Sequence, residues 1–110
     1  MANTFYRKFT ANVGNTASQL GSYTVSGSAT TVIVGLSLCN TTGATINGTV
    51  YVNNGANNVN LIKNAPISSG ATLVIIGGDQ KIVLQAGDNV YVKSDTTSSI
   101  DAYMSIMEIT

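Results

Sequence analysis

Histidine and tryptophan are both absent from this chain of 110 residues. Histidine is the commonest general base near neutral pH and the commonest metal ligand, so most hydrolase and metalloenzyme mechanisms are disfavoured. The single cysteine provides no CxxC pair and no other ligand set with zinc spacing. We therefore expect no catalytic residue, no metal site and no cofactor.

Five carboxylates leave a glycosidase with a carboxylate pair as an enzymatic alternative. They are Asp79, Asp88, Asp95, Asp101 and Glu108. A domain this small, without tryptophan, is expected to offer little room for a sugar cleft. The loops rich in Asp and Asn lack EF-hand spacing, which argues against a calcium site.

Charge is also scarce, because Asp, Glu, Lys and Arg make up 9% of the residues and the formal net charge is zero. Five basic residues give little electrostatic affinity for nucleic acid or an anionic membrane, so neither partner is expected. No apolar run approaches the roughly 20 residues of a membrane span, and none follows the early Arg7 and Lys8 as in a signal peptide. We expect a protein made in the cytoplasm without a signal peptide. Cys39 is interpreted as a small buried hydrophobe rather than a reactive thiol.

Short segments rich in Val, Ile, Thr and Tyr recur about every ten residues between clusters of Gly, Asn and Ser. No segment of helical length has an apolar period of 3.6 residues. The pattern predicts an all-β fold, a compact two-sheet β-sandwich of about eight to nine short strands, with jelly-roll connectivity as one candidate. The length fits a single β-sandwich domain over residues 1–110.

Alternation along the strands predicts which side chains face the core. The predicted core residues are Val32, Val34, Leu36, Leu38, Ile46, Val50, Val52, Leu73, Ile75, Val90, Val92, Met104 and Ile106. Tyr51, Tyr91 and Tyr103 fall on the opposite faces.

Three local signals predict turns or edges. Thr42-Gly43 suggests a hairpin, and Gly77-Gly78-Asp79-Gln80 is better interpreted as a hairpin than as a phosphate loop, because no helix or lysine spacing follows it. Pro66 has no backbone N–H to donate, which suits an edge strand or a strand exit.

Both ends of the chain carry candidate partner-binding residues. The last strand has a core stripe backed by further apolar residues, so it is either covered on both faces or in contact with another chain. Residues 1–10 combine aromatic rings with two adjacent cations, which suits either an N-terminal arm or simply the first strand. The candidates are Phe5, Tyr6, Arg7, Lys8, Phe9, Tyr103, Met107 and Ile109.

Several phrases between Thr31 and the C-terminus resemble small virion structural proteins of tailed bacteriophages. They include Val34-Gly35-Leu36-Ser37-Leu38-Cys39-Asn40-Thr41-Thr42, Gly48-Thr49-Val50-Tyr51-Val52, Leu61-Ile62-Lys63-Asn64-Ala65-Pro66-Ile67, Ser69-Gly70-Ala71-Thr72-Leu73-Val74, Gly77-Gly78-Asp79-Gln80-Lys81-Ile82-Val83-Leu84 and Ala86-Gly87-Asp88-Asn89-Val90-Tyr91-Val92.

The resemblance implies a location in the virion and a role as a capsid decoration (cement) protein. Such a protein would bind the major capsid protein or other virion proteins and form a homo-oligomer, with a trimer favoured. A neck, tail or fibre-associated component is the alternative within the same class. Outside that class, the competitors are a carbohydrate-binding module and a subunit of a non-viral filament. The missing tryptophan counts against the first, and a pilus-like subunit would normally need a secretion signal, which is not expected here.

Overall fold

Nine β-strands make up the fold in the computed structural model, which describes residues 2–110, and no helix occurs within those residues. The strands are β1 (Asn3–Val13), β2 (Ser18–Thr24), β3 (Thr30–Asn40), β4 (Ile46–Asn53), β5 (Asn58–Ile67), β6 (Thr72–Ile76), β7 (Ile82–Leu84), β8 (Asn89–Ser94) and β9 (Ile100–Ile109). The predicted all-β class is confirmed.

The strands form two antiparallel sheets. Sheet A has the order β1-β9-β3-β6, with β7 also paired to β3, and sheet B has the order β2-β8-β4-β5. The antiparallel pairs nest along the chain: β4 with β5, β3 with β6 and β7, β2 with β8, and β1 with β9. Nested pairs that alternate between two sheets give a jelly roll, so that connectivity is the observed one.

The inner faces of the two sheets meet in one apolar core. Its largest fully buried side chains are Leu20, Ile33, Leu36, Leu38, Leu84, Ile100, Met104 and Ile106, with valines at 13, 25, 50 and 90. Eight of the predicted core residues are buried, namely Leu36, Leu38, Ile46, Val50, Val90, Val92, Met104 and Ile106. Three others, Val52, Leu73 and Ile75, are half-buried and pack against the core.

The predicted register of β3 is wrong for its first half. Ile33 is fully buried, whereas Val32 and Val34 are only half-buried. The pairing of β3 with β9 shifts between Ile33 and Gly35, which marks a β-bulge. One extra residue reverses the alternation, so odd positions face the core before the bulge and even positions face it afterwards.

Both predicted hairpins are absent from the described residues. The β3–β4 connection crosses from sheet A to sheet B, so the strands flanking Thr42-Gly43 do not pair. β6 and β7 pair with β3 on either side of its bulge, and the chain runs in one direction through both. The turn at residues 77–80, closed by a bond from Gln80 N to Gly77 O, therefore interrupts one edge strand. Pro66 lies in edge strand β5, as predicted.

Residues 3–10 lie in β1, which is the edge strand of sheet A next to β9. Val13 is its only buried residue. The backbone of β1 closely approaches Gly21 in β2: a Cβ built on that glycine would lie 2.7 Å from Lys8 Cβ and 3.2 Å from Phe9 N. Gly21 also has a φ of +61°, which favours glycine.

We predict that Gly21→Ala lowers the free energy of unfolding by about 1–3 kcal/mol, because the backbone is strained and β1 is pushed from β2. Denaturant unfolding measures the change. Gly70→Ala is the matched control, since Gly70 has a φ of +69° but open space around it. An equal loss of unfolding free energy in both variants would show that the contact with β1 contributes nothing to the destabilisation.

Candidate functional site

The predicted partner-binding residues separate onto the two faces of sheet A. In the β1–β9 pairing, Phe5 lies opposite Met107 and Phe9 opposite Tyr103. Strand alternation then places six candidates on the outer face and two on the inner face. The outer six are Phe5, Arg7, Phe9, Tyr103, Met107 and Ile109, and the inner two are Tyr6 and Lys8.

Aromatic side chains stand out from the outer face. Phe5 is 70% exposed, Phe9 52% and Tyr103 47%. The rings of Phe9 and Tyr103 stack with centroids 6.0 Å apart and planes 9° from parallel. The Arg7 guanidinium lies 5.6 Å from the centre of the Phe9 ring, where a cation–π contact is favourable.

Two apolar rows cross sheet A. One contains Phe5, Met107, Val32 and Val83, and the other contains Phe9, Tyr103, Ser37 and Val74. Val74 is 64% exposed and Val83 59% exposed. We call the surface formed by Phe5, Phe9, Val74, Val83 and Tyr103 the apolar face.

Sequence reasoning did not include Val74 and Val83 in this surface. Alternation could have found both, because Val74 lies between Leu73 and Ile75, and Val83 lies between Ile82 and Leu84, which point inward. Their place beside the aromatic residues depends on β6 and β7 sharing one side of β3. That long-range pairing has no local sequence signal.

A groove of about 350 Å³ lies within the outer face of sheet A. Its lining residues are Phe9, Thr10, Ala11, Ser37, Cys39, Thr72, Asp101, Ala102 and Tyr103. The small side chains of Ser37 and Cys39 lie between the Phe9–Tyr103 stack and the strand that carries Thr72 and Val74. The groove is a shallow apolar depression with one carboxylate, at Asp101.

Cys39 lies in this groove rather than in the core. Leu38 is fully buried, so strand alternation places Cys39 on the outer face, where it is half-buried. The interpretation of Cys39 as a buried hydrophobe is therefore wrong in its placement.

The inner face of β1 closes the edge of the sandwich against β2. Lys8 Nζ lies 5.4 Å from the centre of the Tyr6 ring and 5.2 Å from that of Tyr23. The Tyr23 hydroxyl donates to Glu108 Oε2 at 2.7 Å and lies 2.6 Å from Thr31 Oγ1. Burial raises the pKa of Tyr23 to about 12, and the neighbouring Glu108 carboxylate adds to the effect. Tyr6 and Lys8 thus contribute to the fold of this edge.

The raised pKa of Tyr23 predicts a loss of stability at high pH. The unfolded chain releases the Tyr23 proton near pH 10, while the folded protein holds it to about pH 12, so the free energy of unfolding falls across that window. Tyr23→Phe should remove this part of the slope and lower the stability at neutral pH by about 1 kcal/mol, through the lost hydrogen bonds. Denaturant titrations at several pH values measure both effects. Tyr103→Phe, the control, should keep the slope, and an unchanged slope in Tyr23→Phe would contradict the prediction.

Residues 2–110 contain no candidate metal-binding site. Within that range, no three side chains of His, Cys, Asp or Glu are grouped so that they could hold a metal ion.

No helix in the described part of the chain is long and apolar enough to cross a membrane.

Comparison with known proteins finds no matching family model and no matching curated protein. Solved structures do match. One is of Bacillus endospore appendages that form disulfide-linked pili, with 14% identity over 100% of this chain and 91% of that chain and a TM-score of 0.48. Two are of a pentameric capsid protein from metagenomic phage sequences, each with 18% identity and a TM-score of 0.44.

The two capsid matches cover 94% of this chain but only 59% and 60% of their own chains. This chain therefore spans less than two thirds of their length. Identities of 14–18% and TM-scores of 0.44–0.48 carry no argument about what this chain does.

Proposed function

We propose that this chain is a non-catalytic virion structural protein, and specifically a capsid decoration (cement) protein that binds and stabilises neighbouring capsid subunits through its apolar face. The observation that carries the proposal is the exposure of Phe5, Phe9, Val74, Val83 and Tyr103 on one side of one sheet. An exposed apolar surface with aromatic residues is typical of protein–protein interfaces. The sequence resemblance to virion proteins of tailed phages is the reason for proposing the phage particle as the location and the capsid subunits as the partner.

The chemistry of the apolar face defines how the partner would bind. Arg7 and Asp101 are charged groups on this face, one beside Phe9 and one in the groove. Binding should come mainly from buried apolar area and from hydrogen bonds, so the affinity should change little with salt concentration. A collapse of affinity between low and moderate salt would contradict an apolar interface.

A neck, tail or fibre-associated component is the second candidate, since it would use the same kind of surface. Copy number separates the two. Quantitative mass spectrometry of purified particles should find a cement protein at a copy number comparable to that of the major capsid protein. A copy number per particle equal to the number of subunits in a single ring would favour the neck or tail.

The resemblance also favours a homo-oligomer, and we propose a trimer. Analytical ultracentrifugation of the purified chain tests this proposal. A concentration-independent monomer would overturn self-association.

We further propose that residues 2–10 act as an arm that adds contacts with the partner. Their backbone pairs with β9, but none of these residues is buried in the domain. We predict that deletion of residues 2–10 lowers the stability of the domain, because the pairing with β9 and the contacts of Tyr6 and Lys8 are lost, but leaves it folded with weakened attachment to particles. Circular dichroism and particle co-sedimentation measure the two effects. If the truncated domain unfolds, the segment is a structural strand, and if it binds as tightly as the full chain, the arm proposal is wrong.

A further inference from the structure

The outer face of sheet B differs in character from the apolar face. One cross-strand row runs through all four of its strands and contains Gln19, Tyr91, Tyr51 and Asn60. The two tyrosine rings at its centre stack with centroids 5.3 Å apart and planes 8° from parallel. Amides therefore flank a pair of aromatic rings.

A cleft of about 510 Å³ opens beside Tyr51, and we call it the polar cleft. Its lining residues are Asn15, Thr49, Tyr51, Asn58, Asn60, Lys63, Asn64, Lys93, Ser94 and Asp95. This volume falls within the roughly 300–1,000 Å³ typical of small-molecule sites. The sequence-based expectation of little room for a sugar cleft is therefore wrong.

An irregularity in β5 shapes the polar cleft. Lys63 and Asn64 are consecutive, so a regular strand would point them to opposite faces, yet both line the cleft. The β4–β5 register shifts between Gly48 and Val50, and Asn64 has a φ of +50°, a strained conformation for a residue other than glycine. The Asn64 N–H donates to Thr49 Oγ1 at 3.0 Å and holds this bulge in place. Bulges and strained residues of this kind are found where a site requires re-aimed side chains.

Internal hydrogen bonds fix part of the cleft wall. Asp95 Oδ1 accepts from the Asn47 N–H at 3.1 Å and the Thr96 hydroxyl at 2.9 Å, and these bonds lower the pKa of Asp95. Asn58 Oδ1 accepts from Asn53 Nδ2.

Other polar groups of the cleft take no part in those bonds. They are the amides of Asn15 and Asn60, the ammonium groups of Lys63 and Lys93 and the hydroxyl of Tyr51. Amide, ammonium and hydroxyl groups therefore line the cleft together with one aromatic ring.

We propose that the polar cleft binds an oligosaccharide. Sugar hydroxyls both donate and accept hydrogen bonds, which matches asparagine amides and hydroxyl groups. The ring of Tyr51, backed by Tyr91, offers an apolar wall for the C–H face of a pyranose, a role often filled by the tryptophan that this chain lacks. Two lysines are too few to hold a nucleic acid backbone. A glycan with a carboxylate would gain from those lysines, since Asp95 is the only acidic residue of the lining.

The oligosaccharide site is independent of the cement role. The apolar face and the polar cleft lie on the outer faces of opposite sheets, so one chain could contact the particle through sheet A while its cleft faces outward. Failure of either proposal leaves the other standing.

NMR titration of the ¹⁵N-labelled domain tests the proposal with three probes: cellotetraose, chitotetraose and tetragalacturonic acid. We expect at least one probe to bind with a dissociation constant in the millimolar range or tighter, with shifts at Thr49, Tyr51, Asn60 and Lys93. If only the acidic probe binds, the two lysines select a glycan that carries a carboxylate. If a neutral probe binds, the asparagine amides recognise the sugar hydroxyls. Either outcome supports the cleft.

Tyr51→Ala should weaken that binding by at least about tenfold. Tyr103→Ala, the same substitution on the apolar face, should leave it unchanged. Asn60→Ala changes an exposed residue of the same cleft and provides a second variant if Tyr51→Ala does not fold. The proposal is overturned if no probe binds at millimolar concentration, if the shifts fall on sheet A, or if the folded cleft variants bind like the parent chain.

Discussion

Leu36→Ala is expected to lower the free energy of unfolding by about 2–5 kcal/mol. Leu36 is 2% exposed and follows the bulge of β3, where the strand crosses the middle of the core. Truncation removes apolar contacts and leaves a cavity that the two packed sheets cannot readily fill. Urea titration followed by circular dichroism measures the change.

Val32→Ala is the control, because Val32 precedes the bulge on the same strand and lies on the outer face. It should cost less than about 1 kcal/mol, as expected for a half-buried position at the surface. The uninterrupted alternation of the sequence instead assigns both residues to the core. Equal losses in the two variants would contradict the observed register of β3.

Phe9→Asp is expected to weaken attachment to the virion partner by about a hundredfold or more, while the domain stays folded. Phe9 is half exposed and stacks on Tyr103 within the apolar face. A carboxylate in that position would lose its water when the interface forms, which is costly even with the Arg7 guanidinium beside it. Co-sedimentation of the variant with particles that lack the native chain measures the loss.

Val59→Asp is the matched control. Val59 is a 62% exposed apolar side chain on β5, outside the apolar face. The same change there should leave attachment intact. Loss of attachment in Val59→Asp alone would place the interface on sheet B rather than sheet A.

Much of this fold follows from local patterns in the sequence. Val/Ile/Thr-rich segments and Gly/Asn turns predict eight to nine strands, and the alternation of Ile100, Ala102, Met104 and Ile106 predicts the buried side of β9 correctly. The apolar residues on the other side of β9 left two alternatives, coverage on both faces or contact with another chain. β9 is central in sheet A, between β1 and β3, and its outer side is not covered by residues 2–110.

The features that the sequence did not predict all depend on contacts between distant segments. The bulge at Val34 and Gly35 has no local signal, because Val32 and Val34 continue an unbroken alternation. The turn at residues 77–80 carries glycines suited to a hairpin, yet pairing with β3 directs the chain onward. The polar cleft likewise requires the bulge at Asn64, which becomes visible only when β5 is paired with β4.

Hydroxyl-radical footprinting of the chain, bound to the particle and free in solution, tests the central claim most directly. The account predicts that Phe5, Phe9, Tyr103 and Met107 are protected from oxidation in the particle, while Tyr51 and Tyr91 react equally in both states. Equal oxidation of Phe9 and Tyr103 in the bound and free states would contradict it.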